Sequence, residues 1–367
     1  MKPRSTAIVL GLALVAVTAA LGLQRACGRG ELARTEGDAG APAHEGPPPA
    51  AHRRASGAPA APGPGAAGAA DGGAAVGRIV VRGRWGAARG EFGHRPAQES
   101  NPEAPMSFVV GRGGALLVLD QVNGRVQRFN PDGTPTDEVH LGAETAQDLA
   151  LDARGNLLVL DRLGKAELTA YGPDGQPREQ IPVVGGPIAE GGAVTGLFTD
   201  PSGTYLEREH TETARVAGPD GKPDPARPTE PGRPSRDGRY YLWAAIADRI
   251  AGVANVRVFD RDASLLWGQP VAFPTSIVHL LLLDSDGRGF LYLGALVGEE
   301  AGDELTNLTT IVLRLRLADG APAGALALPP NQSAAEVFRE LAVGDDGAIY
   351  QMLPGPEGLT ITRYTFP

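Results

Sequence analysis

Cysteine is almost missing from this 367-residue chain, with Cys27 standing alone. A lone cysteine rules out an intrachain disulfide framework and any metal site built from several thiolates. Lysine is scarce, and aromatic residues make up only 5% of the chain. No G-x-S-x-G, H-E-x-x-H, phosphate-binding loop or dinucleotide fingerprint occurs, so the common signatures of hydrolases, zinc peptidases and nucleotide enzymes are lacking. The net charge of -9 is unevenly spread. Residues 1–76 carry 7 Lys/Arg against 5 Asp/Glu, and the remainder 27 against 38. An acidic domain repels a phosphate backbone, which argues against nucleic acid as a partner.

Glycine and proline are plentiful, at 51 and 32 residues. Part of that excess lies near the N-terminus. Two basic residues within Met1–Arg4 precede an uncharged apolar run, Thr6 to Leu23. A basic start followed by such a run is the pattern of a signal peptide, and its length also suits a membrane-spanning helix. Ala26-Cys27 resembles the end of a lipoprotein cleavage box, although Gln24 and Arg25 depart from its small residues. Residues 1–27 are therefore expected to be a signal peptide or membrane anchor, with cleavage, acylation at Cys27 and retention as an anchor left open. Each of these places the remainder outside the cytoplasm, in a bacterial periplasm or secreted. Residues 28–76 are rich in Ala, Gly and Pro and lack aromatic residues. Such a stretch cannot bury enough apolar surface to offset its ordering entropy, so a disordered linker is expected.

Beyond the linker, one sentence is written twice. LLVLD stands at Leu116–Asp120 and again at Leu157–Asp161, and Pro-Asp-Gly follows each copy, at Pro131 and Pro173. A period of roughly 40–50 residues with short strands and glycine turns is the mark of β-propeller blades. Six tight turns ending in glycine precede apolar strands, at Gly114, Gly155, Gly203, Gly238, Gly287 and Gly347. Asp in such a turn can close it through its side chain, and Gly takes the positive φ it demands. Five turns are followed by a complete second hairpin, while the sixth is followed only by GLTITRYTF. The spare strand Gly77–Trp85 is predicted to complete the last blade and so remove the open sheet edges. The expected fold is all-β, a six-bladed propeller over 77–367 closed by its N-terminal strand.

The first two blades carry a fuller pattern. Gly90-Glu91-Phe92 is followed by Pro105, a strand ending in Asp120, and a strand from Arg125 to Phe129. The second blade repeats it with Asp148–Asp152, Leu157–Asp161 and Glu167–Tyr171. In this the chain resembles an NHL-repeat propeller, over two blades in detail and over the other four in turns and strand spacing. The resemblance implies the fold, and a ring that binds proteins, RNA or small molecules.

Candidate functional residues are few. Asp120 and Asp161 end matching strands and are expected at one mouth of the ring, either as binding carboxylates or as caps of the next loop. Glu299, Glu300, Asp303 and Glu304 form an acidic loop between two strands of the fifth blade and are expected to overhang the same face; their spacing matches no known calcium loop. His140, His210 and His279 are scattered rather than placed at equivalent blade positions, which argues against a histidine-built metal centre. Residues 214–238 read as a long Pro-rich connection or a partner-binding loop. Tyr240, Tyr241, Trp243 and Trp267 read as packing aromatics or as an exposed contact. No cofactor is called for. The resulting expectation is an exported or membrane-tethered, non-catalytic propeller whose loops bind a protein partner of the cell envelope. Two alternatives are a metal-dependent hydrolase or lyase of the lactonase-like propellers and a structural envelope component.

Overall fold

A computed structural model describes residues 75–97, 101–142, 145–302 and 304–367. The apolar N-terminal segment, Cys27 and nearly all of the expected linker lie outside the described residues, as does Asp303. The described chain forms six four-stranded antiparallel sheets. The first five blades run from Ser107 to His140, Asp148 to Pro182, Val194 to Glu230, Arg233 to Ala272 and Ser276 to Leu328. The sixth combines Leu341–Val343, Ile349–Gly355 and Gly358–Tyr364 with Arg78–Arg84 as its outer strand. Arg78 pairs with Arg363 and Arg84 with Gly358, so the first strand closes the ring as the sequence predicts.

The strands follow from their patterns. Leu116–Asp120 is buried at every position because it lies between two strands and between two neighbouring blades. A strand covered on both faces reads as an unbroken apolar run. The outer strand Pro135–His140 instead buries only Val139. Five seams between blades are filled with apolar side chains. Phe92, Phe108, Tyr350 and Ile361 fill the seam from blade 6 to blade 1, and Leu119, Leu149 and Tyr171 the seam from 1 to 2. Similar clusters join blades 2 and 3, 4 and 5, and 5 and 6. At about 1.5–3 kcal/mol for each fully buried large aliphatic side chain, these seams are the main source of ring stability.

The inner-hairpin turns use the expected chemistry. Asp152 accepts bonds from the Arg154 and Asn156 amides, and Gly155 takes φ 82°. The fifth turn sits two residues later than expected. Asp286, not Asp284, accepts from the Arg288 and Phe290 amides, and the left-handed residue is Gly289 (φ 93°), not Gly287. Asp284 is thereby freed to point elsewhere. The Pro-rich segment 214–238 is also more structured than a free connection. It supplies the two-residue strands Thr229–Glu230 and Arg233–Pro234, on either side of the step from blade 3 to blade 4. Proline cannot donate to a ladder, which keeps these strands short. Arg227 pins the segment to blade 2 through the Val183 and Gly185 carbonyls, at 2.7 and 3.1 Å.

Antiparallel alternation gives the ring two faces. The turn face carries the inner-hairpin turns. The loop face carries the connections between second and third strands and the crossings between blades. In blades 4 and 5 the middle hairpins are long, with Phe290–Ala301 pairing with Glu304–Arg316, so they reach further on the loop face than those of blades 1 and 2.

Candidate functional site

The inner strands converge on a channel whose waist is built from ion pairs. Asp148 opens the inner strand of blade 2 and is fully buried. Its carboxylate accepts from Ser107 Oγ of blade 1 at 2.6 Å, Leu197 N of blade 3 at 3.0 Å, and Arg339 Nη2, just before the inner strand of blade 6, at 2.6 Å. One carboxylate thus ties four blades. On the other side Arg236 of blade 4 pairs with Asp284 of blade 5 at 2.7 Å and approaches Asp345 of blade 6 at 3.8 Å. Arg233 pairs with Glu207 at 2.5 Å and donates to the Leu283 carbonyl. Phe198 lies between two of these cations, 4.7 Å from Arg233 and 5.4 Å from Arg339. Burial opposes the charge on Glu207, but Arg233 and His210 outweigh it and hold the carboxyl at about 2. Burial likewise opposes the charge of Arg236 and Arg339, and their carboxylate partners more than offset it, raising both pKa values.

Three cavities adjoin this waist. On the turn face a cavity of about 540 Å³ takes in residues from all six inner strands or their turns, Arg236, Asp284 and Arg339 among them. On the loop face a second, of about 380 Å³, shares Phe198, Asp284 and Arg339 with the first, which identifies these residues as the waist. A third, of about 360 Å³, is mainly apolar and lies between Trp243, Ala244, Ile246, Leu280 and Leu282. It meets the second along Arg233, His210 and His279. Ile246, exposed, lines the apolar cavity, and Ile250 and Leu308 are exposed on the same long hairpins of blades 4 and 5. His210 follows Glu209 in a turn where both have positive φ, 57° and 50°. Non-glycine residues held there are uncommon and mark a constrained turn. His210 Nδ1 lies 3.2 Å from Glu207, and desolvation lowers the pKa of His279.

The residues singled out in sequence are placed as follows. Asp120 and Asp161 both lie at the loop-face ends of their strands, and both are buried. Asp120 accepts from Gly93 N at 2.7 Å and Arg125 Nε at 2.9 Å. Asp161 accepts from Gly164 N, Lys165 N and Thr145 Oγ1. Both carboxylates cap loops. Glu299, Glu300 and Glu304 are exposed at the tip of the blade 5 hairpin, where Asn307 donates to Glu299 and Arg249 to Glu300; Asp303, between them, lies outside the described residues. His140 is on an outer strand beside Glu138, at 3.4 Å, whereas His210 and His279 meet at the double mouth. Tyr241 and Trp267 are packing residues, the first buried and the second bonded to the Leu317 carbonyl at 2.8 Å. Trp243 faces the apolar cavity with Arg257 over its ring at 4.8 Å. Among the described residues no three His, Cys, Asp or Glu side chains group closely enough to hold a metal ion.

Sequence reasoning missed Asp148, Arg233, Arg236, Asp284, Arg339 and Glu340. A signal was present: each abuts or interrupts an inner strand that is otherwise apolar or turn-like, as in Arg339-Glu340 before LAV and Asp284 after HLLLL. A charged residue at such a position has to face the channel or a partner, since the seams cannot hold it unpaired.

No protein-family model and no curated protein matches the chain. Among solved structures it is similar to hydrazine synthase from Kuenenia stuttgartiensis, with 12% identity over 72% of this chain and 78% of that one and a TM-score of 0.49. It is also similar to virginiamycin B lyase from Staphylococcus aureus, with 12% identity, 74% and 97% coverage and a TM-score of 0.40. Regucalcin from Agrobacterium tumefaciens, a calcium-binding protein, shares 14% identity over 75% and 94% of the two chains with a TM-score of 0.41. Likenesses this distant carry no argument about what the chain does.

Proposed function

We propose that the chain is an exported or membrane-tethered propeller that binds an envelope protein, without catalysis, at its loop face. The observation that carries this reading is the double mouth, where an apolar cavity opens beside a charged one under the projecting hairpins of blades 4 and 5. Exposed Ile246 lines it, and Ile250 and Leu308 are exposed on the hairpins beside it, as suits a docking surface with an apolar centre and a charged rim. The chain enters the ring elsewhere. Ala75 N reaches the Ala327 carbonyl of blade 5 at 3.4 Å, and Arg78 starts the outer strand of blade 6. The apolar run Thr6 to Leu23 supports export or anchoring. The hydrolase or lyase reading has less support, because Asp148, Glu207, Asp284 and Asp345 of the channel are each engaged by an arginine.

The test uses the full chain as bait in cross-linked envelope fractions. The double variant Ile250→Glu/Leu308→Glu is expected to lose its partner, while Leu265→Glu, on the far end of blade 4, retains it. Equal capture by both variants would remove the loop face from consideration. Protease accessibility of a C-terminal epitope in spheroplasts checks location, and protection in intact spheroplasts would place the ring in the cytoplasm and defeat the reading.

A further inference from the structure

Among the described residues, one buried carboxyl of the channel has no counter-ion. Asp148, Glu207, Asp284 and Asp345 each face an arginine. Glu340 is buried in the wall of the loop-face cavity, and no cation offsets its desolvation. Its Oε1 accepts from Gln351 Nε2 at 2.8 Å, and the same amide nitrogen donates to the Pro329 carbonyl. Gln351 Oε1 is buried and has no partner, and so is Thr310 Oγ1. Strand alternation puts Gln351 on the face of Ile349 and Thr310 on the face of Val312, and those two residues meet in the seam between blades 5 and 6. The Thr310 hydroxyl can donate as well as accept, but the Glu340 carboxylate and Gln351 Oε1 only accept, and no cation serves either. Burial raises the pKa of Glu340, and its amide bond opposes that only in part.

We propose that this corner binds a primary ammonium group carried on a small apolar body. The inference rests on reading the double mouth as a binding site, and names the chemistry that site takes. An ammonium brings three N–H donors and no acceptor, which is what Glu340 and the amide behind it lack. A buried carboxylate without a cation is costly, and a ligand cation removes that cost. The loop-face cavity is lined by the carboxylates of Asp148, Asp284 and Glu340 and by the guanidiniums of Arg233 and Arg339. Both of those guanidiniums are already paired with carboxylates, Arg233 with Glu207 and Arg339 with Asp148, so this cavity favours a cation over an anion. Leu282, Leu296 and Val337 line the same cavity, which joins the apolar one at Trp243; together they have room for a small aromatic or branched body.

Calorimetric titration of the full chain with phenethylamine, 2-phenylethanol and a short lysine-containing peptide tests this. Phenethylamine is expected to bind at least tenfold tighter than the neutral alcohol. Glu340→Gln is expected to weaken the amine at least tenfold while the melting temperature holds or rises, since an uncompensated buried acid is gone. Leu296→Trp, which fills the cavity and leaves Glu340 and Gln351 in place, lowers amine affinity as well. Affinity rises with pH as Glu340 ionises, and Glu340→Gln loses that rise. His210 and His279, which line the cavity with Asp148, Arg233, Asp284 and Arg339, keep their own contribution in the variant. Tighter binding of the free amine identifies a small-molecule source, and tighter binding of the peptide a protein side chain. Equal binding of amine and alcohol, no binding of either, or indifference to Glu340→Gln would overturn the inference. If partner capture still depends on Ile250 and Leu308 in that case, only the ammonium assignment falls.

Discussion

Blades 1 and 2 and blades 3 and 4 hold together by different means. The seam between blades 1 and 2 is apolar, with Leu119, Leu149, Val159 and Tyr171 meeting across it. None of the buried apolar clusters spans blades 3 and 4. There Arg261 of blade 4 reaches Asp200 at 2.9 Å and the Tyr205 hydroxyl at 3.0 Å, both in blade 3, and lies 4.3 Å over the Tyr241 ring. The faithful copies of the repeat serve architecture, and even their strand-final aspartates are consumed in holding loops. The divergent blades supply the double mouth. In this ring the proposed docking surface lies where the repeat is lost, because a position that no longer has to fill an apolar seam is free to carry a charge or face a cavity.

The comparison can be broken at the faithful end first. Arg125 is buried, pairs with Asp120 and Glu138, and donates to the Ala88 and Glu91 carbonyls that position the Gly-x-Phe loop. Arg125→Met leaves Asp120 buried without its cation. The expected loss is about 3–5 kcal/mol, read by urea denaturation, and a loss under 1 kcal/mol would mean that the loop is not held this way.

The channel gives the next effect. The folded pKa of Glu207 is about 2, against an ordinary 4.5. A depressed carboxyl pKa contributes stability above the unfolded value, and that contribution fades as the pH falls from 4.5 toward 2. The linkage is on the order of 3 kcal/mol, at about 1.4 kcal/mol per unit. Glu207→Gln should be less stable at neutral pH yet show a flatter acid limb of melting temperature against pH. Parallel limbs for the two proteins would refute the assignment.

The polar seam gives the smallest effect. Arg261→Met removes a charged bond to Asp200, but Asp200 keeps the amides of Ser202 and Gly203 at 2.7 and 3.0 Å. The expected cost is about 2 kcal/mol, with faster amide exchange confined to blades 3 and 4. Faster exchange spread around the whole ring would show that this seam is no weaker than the apolar ones.

Much of the architecture was legible in advance, for a physical reason. Blade number follows from counting glycine turns, and closure from one strand short at the end and one spare near the start. Both are local or compositional properties. The fifth turn was misplaced by two residues because Asp284-Ser285-Asp286-Gly287 offers two aspartates, and only the pairing of Ser285 with Leu291 decides between them. The candidate site was much less legible. Asp120 and Asp161, flagged by their recurrence, cap loops, and Glu299, Glu300 and Glu304, flagged as an acidic loop, are exposed at a hairpin tip. The acidic residues that line the channel do not recur, and they come from blades far apart in the chain.

The residue pattern by itself determined an all-β ring of six blades with the first strand completing the last, since turn chemistry and strand periodicity are written within a few residues of each other. Only the tertiary structure decided which charges meet. Asp148 and Arg339 are 191 positions apart and lie 2.6 Å from each other. No local signal encodes that pairing, because it exists only once closure of the ring brings the inner strands of blades 2 and 6 to the same axis. Glu340 is the converse case: its solitude, like their meeting, is a property of the closed channel.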